Sequence, residues 1–294
     1  MFRSLMSNRI NVAAAIPLVV LLIFVAVIPF AGMLWLSFSD LNFNLPGRDG
    51  NYVGLSNYSR MLADGRLWAS VGRTGVFVAV SVALQVAIGA ATAFFLWKNQ
   101  AALGRLMPFV VLPILLAPVT VGLLGRLLLH GDYGVVACAL HSCGLLPSGT
   151  ILGDPTIAVW AAVAIDTWQW TPFCTLIVLA GLRSIPQKAM VASELDGASR
   201  LGTLLRVTTP LALPSALLAI VVRTIDAFRT FDSVYVLTGG GPGNRTELLT
   251  IYIYKVAFIH GDIGYASAVT LGYFVVLLLL ISVVSLTFLK VATR

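Results

Sequence analysis

Charge is what this 294-residue sequence has least of. Asp, Glu, Lys and Arg make up 11% of it, where soluble domains carry about 25%. With 59% hydrophobic residues and a mean hydropathy of +0.94, the deficit excludes an ordinary water-soluble core. Long apolar runs must absorb the hydrophobicity. Histidine and cysteine are also scarce, three of each. His130, His141 and His260 are scattered without metal-ligand spacing, so no metal site is assigned. Cys174 lies in an apolar run. Cys138 and Cys143 share one loop, where two free thiols and a disulfide both remain open. The glycine run at 239–241 lacks the Gly-Lys-Ser/Thr ending of a phosphate loop. The net charge of +7 would suit nucleic acid in a soluble protein. Here the basic residues sit at the ends of apolar runs, and membrane topology accounts for them without a nucleic-acid partner.

A membrane helix needs about 20 mostly apolar residues. Six runs qualify, approximately 11–36, 74–97, 106–129, 157–181, 211–237 and 264–289, giving an all-α, polytopic membrane protein with a single transmembrane domain over 1–294. The first is too long for a secretory leader and reads as a retained helix. The third carries Pro108, Pro113 and Pro118 and is expected to be kinked or broken. One set of helix ends holds Arg3, Arg9, Lys98, Arg105, Arg183, Lys188, Arg200, Arg206, Lys290 and Arg294. The other holds only Arg48, Arg60, Arg66, Arg73, Arg245 and Lys255. The richer set marks the cytoplasmic side, so both termini are expected there. The outer segments, about 38–72, 130–156 and 238–263, are long enough to form small caps.

The segment 182–210 is the one long polar loop on the cytoplasmic side. Ser184 and Gln187 have capping-box spacing, with Pro186 between them. Leu195, Ala198, Leu201, Leu204 and Leu205 recur at helical spacing, Gly197 allows a bend, and Pro210 and Pro214 open span five. By pattern alone the segment could equally lie flat on the bilayer. Its spelling is more specific. Ala192, Ser193, Glu194, Leu195, Asp196, Gly197, Ala198 and Ser199, with Pro210 thirteen residues beyond Gly197 and Pro214 four later, resemble the "EAA" loop of binding-protein-dependent ABC importer permeases. In that family the loop is a coupling helix that docks on the ATP-binding subunit. This chain departs from the pattern at Val191, which stands where the family has Glu, at Ser193 for Ala and at Thr209 for Leu.

Span five carries Arg223, Asp226, Arg229 and Asp232 at intervals of three. Charges in a membrane helix should face partners or a water-filled cavity. Two readings stand: a self-neutralising ladder, and a lining of the transport path in which Phe228 and Phe231 offer faces to sugar rings. Residues 235–242, Tyr-Val-Leu-Thr-Gly-Gly-Gly-Pro, add to the resemblance, and they look like the sugar-importer branch of maltose and trehalose permeases. Carried over position by position, the resemblance implies substrate-path roles for Asp166, Gln169 and Trp170 on span four and for Arg223 and Ala227 on span five. The charge pattern adds Asp226, Phe228 and Arg229.

The resemblance further implies the type I permease fold, alternating access, and location in a bacterial inner or plasma membrane. It implies a second permease subunit, two ATP-binding cassette subunits and an extracytoplasmic substrate-binding (lipo)protein as partners. ATP and Mg would be handled by the partners, leaving this chain without a cofactor and without enzymatic chemistry. The implied cargo is a carbohydrate, a disaccharide of trehalose or maltose type, with a glycerol-phosphate-type substrate as the alternative. A self-sufficient secondary transporter would need inverted repeats and a midplane ion site. An intramembrane enzyme would need a nucleophile–base pair or a metal set within the spans. The sequence offers neither.

Overall fold

The computed structural model describes residue 17 and residues 19–144 and 151–292; the side chains of Glu194 and of 283–292 are outside the description. It is helical throughout, with two isolated β-bridges and no strand among the described residues. In chain order the main helices are α1 (Val19–Leu36), α2 (Ser56–Ala63), α3 (Gly65–Lys98), α4 (Gln100–Val111), α5 (Pro118–Leu128), α6 (Val135–Ser142), α7 (Pro155–Arg183), α8 (Gln187–Leu195), α9 (Arg200–Phe228), α10 (Asp232–Thr238), α11 (Leu249–Ile259) and α12 (Ile263–Ala292).

Four of the expected spans appear as single helices long and apolar enough to cross a membrane: α1, α3, α9 and the described part of α12. The third span is broken, as its prolines required. The stretch Gln100–Leu115 and α5 meet at 98°. Pro118 has no amide to continue the ladder, and Ala117 before it is extended, with ψ 139°. Counted as one, the bent pair makes a fifth candidate span. The fourth expected span is α7, whose 29 residues rise about 43 Å at 1.5 Å each. It is long enough, but Asp166, Thr167, Gln169 and Thr171 near its middle make it less apolar than the others.

The fifth span ends earlier than expected. The sequence predicts it over 211–237, but α9 stops at Phe228 and the chain turns before α10 starts at Asp232. The Thr230 carbonyl released by the turn accepts a 2.6 Å hydrogen bond from the Thr250 hydroxyl. Phe228 and Phe231 pack against the apolar core on either side of the break. The short helix α10 then lies against α5, so closely that a Cβ on Gly122 would come within 2.5 Å of the Ser233 carbonyl oxygen. Only glycine permits that approach.

The chain divides into two compact units. One comprises the residues up to Gly65 with Ile253–Val276, and the other Arg66–Tyr252 with the residues from Leu277 on. In the first, residues 37–64 pack with the start of α12. Asn57 donates to the Ser37 and Ser39 carbonyls at 2.9 and 2.8 Å, and Arg60 pairs with Asp262 at 2.7 Å while lying over the Tyr265 ring. In the second unit one core joins Phe77, Val78 and Val82 of α3 to Ala162 and Val163 of α7 and Ala227 of α9. Another joins Ala93 and Leu96 to Val178, Leu179, Leu182 and Ala212. The apolar residues of α1 point outward, Phe24 with 69% of its surface exposed and Val25 with 63%. Such a helix suits a lipid or protein surround rather than water. Cys138 and Cys143 are free and exposed, and Cys174 is free and buried.

Candidate functional site

Two places within the second unit gather the residues singled out from the sequence. The first is a buried polar cluster where α3, α7 and α9 meet. Arg223 on α9 has only 1% of its side chain exposed. Its Nε donates to Gln85 Oε1 of α3 at 2.8 Å, its Nη2 reaches Asp166 Oδ2 of α7 at 3.2 Å, and its Nη1 pairs with Asp226 one turn along α9. Gln85 closes the ring by donating Nε2 to Asp166 Oδ2 at 2.7 Å. The Trp170 indole lies over the guanidinium, 4.6 Å from its carbon to the ring centre. A buried charge survives only when paired and hydrogen-bonded. Here planar guanidinium, carboxylate and carboxamide meet that requirement together, with an aromatic face added.

Of the expected ladder on span five, the Arg223–Asp226 rung forms. Arg229 and Asp232 are exposed, and their side chains make no described ion pair or hydrogen bond. The helix ends at Phe228, which removes the regular spacing that a ladder through Arg229 would need. Ala227 is fully buried in the core, and Phe228 packs against it.

Gln169 does something the sequence did not announce. Its Nε2 donates at 3.1 Å to the Leu116 carbonyl, at the break between the two halves of the third span. A polar side chain from a neighbouring helix thus satisfies backbone that the proline break leaves unpaired. Asp166 Oδ1, Gln169 Oε1 and Thr167 Oγ1 are buried and have no hydrogen-bond partner within this chain. Replacing Gln169 with Leu should strand the Leu116 carbonyl and cost about 1–3 kcal/mol. Thermal unfolding of the detergent-solubilised variant checks this; an unchanged midpoint would mean that water or another group takes over the carbonyl.

Gln85 was missed from the sequence, although a glutamine in the middle of an apolar run was a usable signal. Glu247 was missed too. Its fully buried carboxylate accepts two hydrogen bonds from Arg66, 2.9 Å from Nε and 2.7 Å from Nη2.

The second place is the 182–210 loop. Ser184 does not cap the following helix as expected. Its hydroxyl donates to the Gly181 carbonyl at 2.8 Å and closes α7 instead. The bend at Gly197 is real: φ is +73°, and the space beside its α-carbon is open. Ser199 then caps the next helix, accepting from the Gly202 amide at 3.1 Å. The two arms are tied by a 2.8 Å hydrogen bond between the buried hydroxyls of Ser193 and Thr203. Asp196 and Ala198 flank the bend, and Ala192 precedes it on α8. Pro210 lies within α9, just past a π-helical turn at Leu204–Thr208. Val191, Leu195, Leu201 and Leu205 turn outward, Leu195 with 83% of its surface exposed. The result is a bent, double-armed knob with an apolar outer face.

Residues 85–292 match the family described as binding-protein-dependent transport system inner membrane component. The chain belongs to this family. The permease is 35% identical over 264 residues to the trehalose/maltose transport system permease protein MalF of Thermococcus litoralis, covering 90% of this chain and 88% of that protein. It is 32% identical over 266 residues to the sulfoquinovosyl glycerol transport system permease protein SmoG of Agrobacterium fabrum, covering 88% and 83%. Among solved structures, a bacterial ABC transporter involved in the import of the acidic polysaccharide alginate contains a chain that matches with a TM-score of 0.85 at 18% identity, covering 98% of each. This likeness shows a shared fold. As a family member the permease is a transport component of the inner membrane rather than a catalytic enzyme, and its fold is that of the type I importer permeases.

Proposed function

We propose that the permease carries a carbohydrate, a disaccharide of the trehalose or maltose kind, inward across the membrane as one of two permease subunits. Two ATP-binding subunits supply the work and the ATP and Mg chemistry, and an extracytoplasmic binding protein delivers the sugar. The observation that carries the reading is the similarity along nearly the whole chain to a permease named for trehalose and maltose. The knob of 182–210, with its exposed leucines, is the docking element for an ATP-binding subunit, which puts it and both termini in the cytoplasm. The buried acceptors of Asp166, Gln169 and Thr167 are of the kind that sugar hydroxyls satisfy. In this reading Arg223 is held too firmly by its neighbours to be a free sugar ligand. It positions Asp166 and Trp170, and Phe228 and Arg229 border the path. Closing and separation of the two ATP-binding subunits, each held at its docking element, swing the bundle between outward and inward access.

The test is substrate-stimulated ATP hydrolysis by the assembled importer in proteoliposomes, with its binding protein and a panel of trehalose, maltose, glycerol 3-phosphate and a monosaccharide. Stimulation by a disaccharide supports the proposal. Stimulation by glycerol 3-phosphate alone replaces the cargo, and uptake by the permease without ATP-binding subunits overturns the class.

A further inference from the structure

The structure assigns to the permease a second binding site, for an anionic phospholipid, in a cavity on the outer end of the second unit. The cavity measures about 490 Å³ and is lined mainly by apolar side chains of α3 and α7, among them Val76 and Trp160, with Arg73, Arg245 and Thr156 adding polar groups. Val76 and Trp160 expose 60% and 56% of their surfaces. An acyl chain would lie along such a wall.

The charge balance favours an anion. Arg66 and Arg73 share one carboxylate, Glu247, and Arg245 lines the cavity beside Arg73. Arg66 engages both oxygens of that carboxylate. Arg73 approaches it only at 3.8 Å and is otherwise anchored to the Glu247 backbone carbonyl at 3.1 Å and the Ser70 hydroxyl at 2.7 Å. Arg245 is exposed, and its side chain makes no described hydrogen bond or ion pair. Two positive charges are therefore left over beside an apolar wall, which matches a phosphodiester headgroup carrying hydrocarbon. The nearby carboxylate of Asp154 is turned to its own helix, accepting from the amides of Thr156 and Ile157 at 2.8 and 2.9 Å.

The depth also fits. Arg73 and Lys98 sit on one helix, 25 residues apart, or about 38 Å at 1.5 Å per residue. The hydrocarbon layer is about 30 Å thick. With Lys98 at the inner boundary, Arg73 falls among the headgroups of the opposite leaflet, beside an exposed tryptophan of the kind that collects there. The choice of leaflet rests on the topology proposed above; the binding itself does not.

The experiment is native mass spectrometry of the complete importer in detergent, titrated with phosphatidylglycerol or phosphatidylcholine. Phosphatidylglycerol should bind in preference. Arg245→Gln should weaken it about fivefold and leave phosphatidylcholine unchanged, while Arg48→Gln, an exposed arginine of the other unit, should change nothing. Gly72 lines the cavity and has open space beside it, so Gly72→Trp should fill the site and remove the bound lipid. Equal binding of both lipids, or full retention in Arg245→Gln and Gly72→Trp, would overturn the proposal. So would competition by the water-soluble headgroup glycerophosphoglycerol at equal strength, or a disulfide between Trp160→Cys and the second permease, which would make this face a protein interface. A topology reversed from the one proposed would move the site to the other leaflet and leave these affinities as they are, so the two failures are distinguishable.

Discussion

Gly197→Val should lower ATP-driven uptake at least tenfold while the chain still inserts and assembles in the membrane. The backbone at this position has φ +73° and nothing crowds the place where a Cβ would stand. The penalty is therefore conformational rather than steric against a neighbour. A β-branched residue in the left-handed region costs about 1–3 kcal/mol. The loop can relieve that strain by opening the bend, which would pull apart the Ser193–Thr203 hydrogen bond and re-aim the exposed leucines. Gly197→Asn separates backbone strain from any other effect, because asparagine tolerates positive φ. Uptake should be largely retained in the Asn variant and lost in the Val variant. Equal activity of both would show that the bend does not set how force enters the bundle.

Asp166→Ala should be the most destabilising single change in the membrane bundle. It removes a carboxylate with 1% exposure and leaves Arg223, buried to the same degree, with Gln85 and Asp226 as its remaining hydrogen-bonding partners. Breaking one side of a buried ion pair costs about 3–5 kcal/mol, whereas replacing both sides with apolar groups of similar size is often neutral. The double variant Asp166→Leu with Arg223→Met should therefore be more stable than Asp166→Leu alone. Asp226 tolerates the loss because 42% of its side chain is exposed. A double-mutant cycle of unfolding midpoints in detergent measures the coupling. Simple additivity would mean that the two side chains do not depend on each other in the folded bundle.

Much of this was legible in the sequence, for identifiable reasons. The α1, α3 and α12 spans were readable because hydrocarbon demands uninterrupted apolar length. The break at Pro118 was readable because the missing amide is written into the chain. The early end of α9 was not. Nothing between Phe228 and Asp232 is a strong helix breaker, and the turn depends on Thr250, twenty residues on, taking the Thr230 carbonyl. Ser184 was assigned to the wrong helix because its hydroxyl serves a helix start or a helix end with the same local spelling. At the candidate site, the resemblance pointed to Asp166, and the expense of membrane charges at intervals of three pointed to Arg223 and Asp226. Their joining through Gln85, and the use of Gln169 to satisfy Leu116, depend on which faces of three helices meet. The same holds for Glu247, which reads as a loop acid in the sequence and is a fully buried counter-ion in the fold.

The central claim is that work from a separate ATP-hydrolysing subunit enters this permease through the bent knob at 182–210. Leu195, near the bend and 83% exposed, offers the most direct handle. In membranes containing the assembled importer, with the free Cys138 and Cys143 replaced by Ser, Leu195→Cys should cross-link to the ATP-binding subunit, and a membrane-impermeant thiol reagent added outside should not reach it. Labelling from outside, or cross-linking confined to other proteins when the ATP-binding subunit is present, would contradict the account.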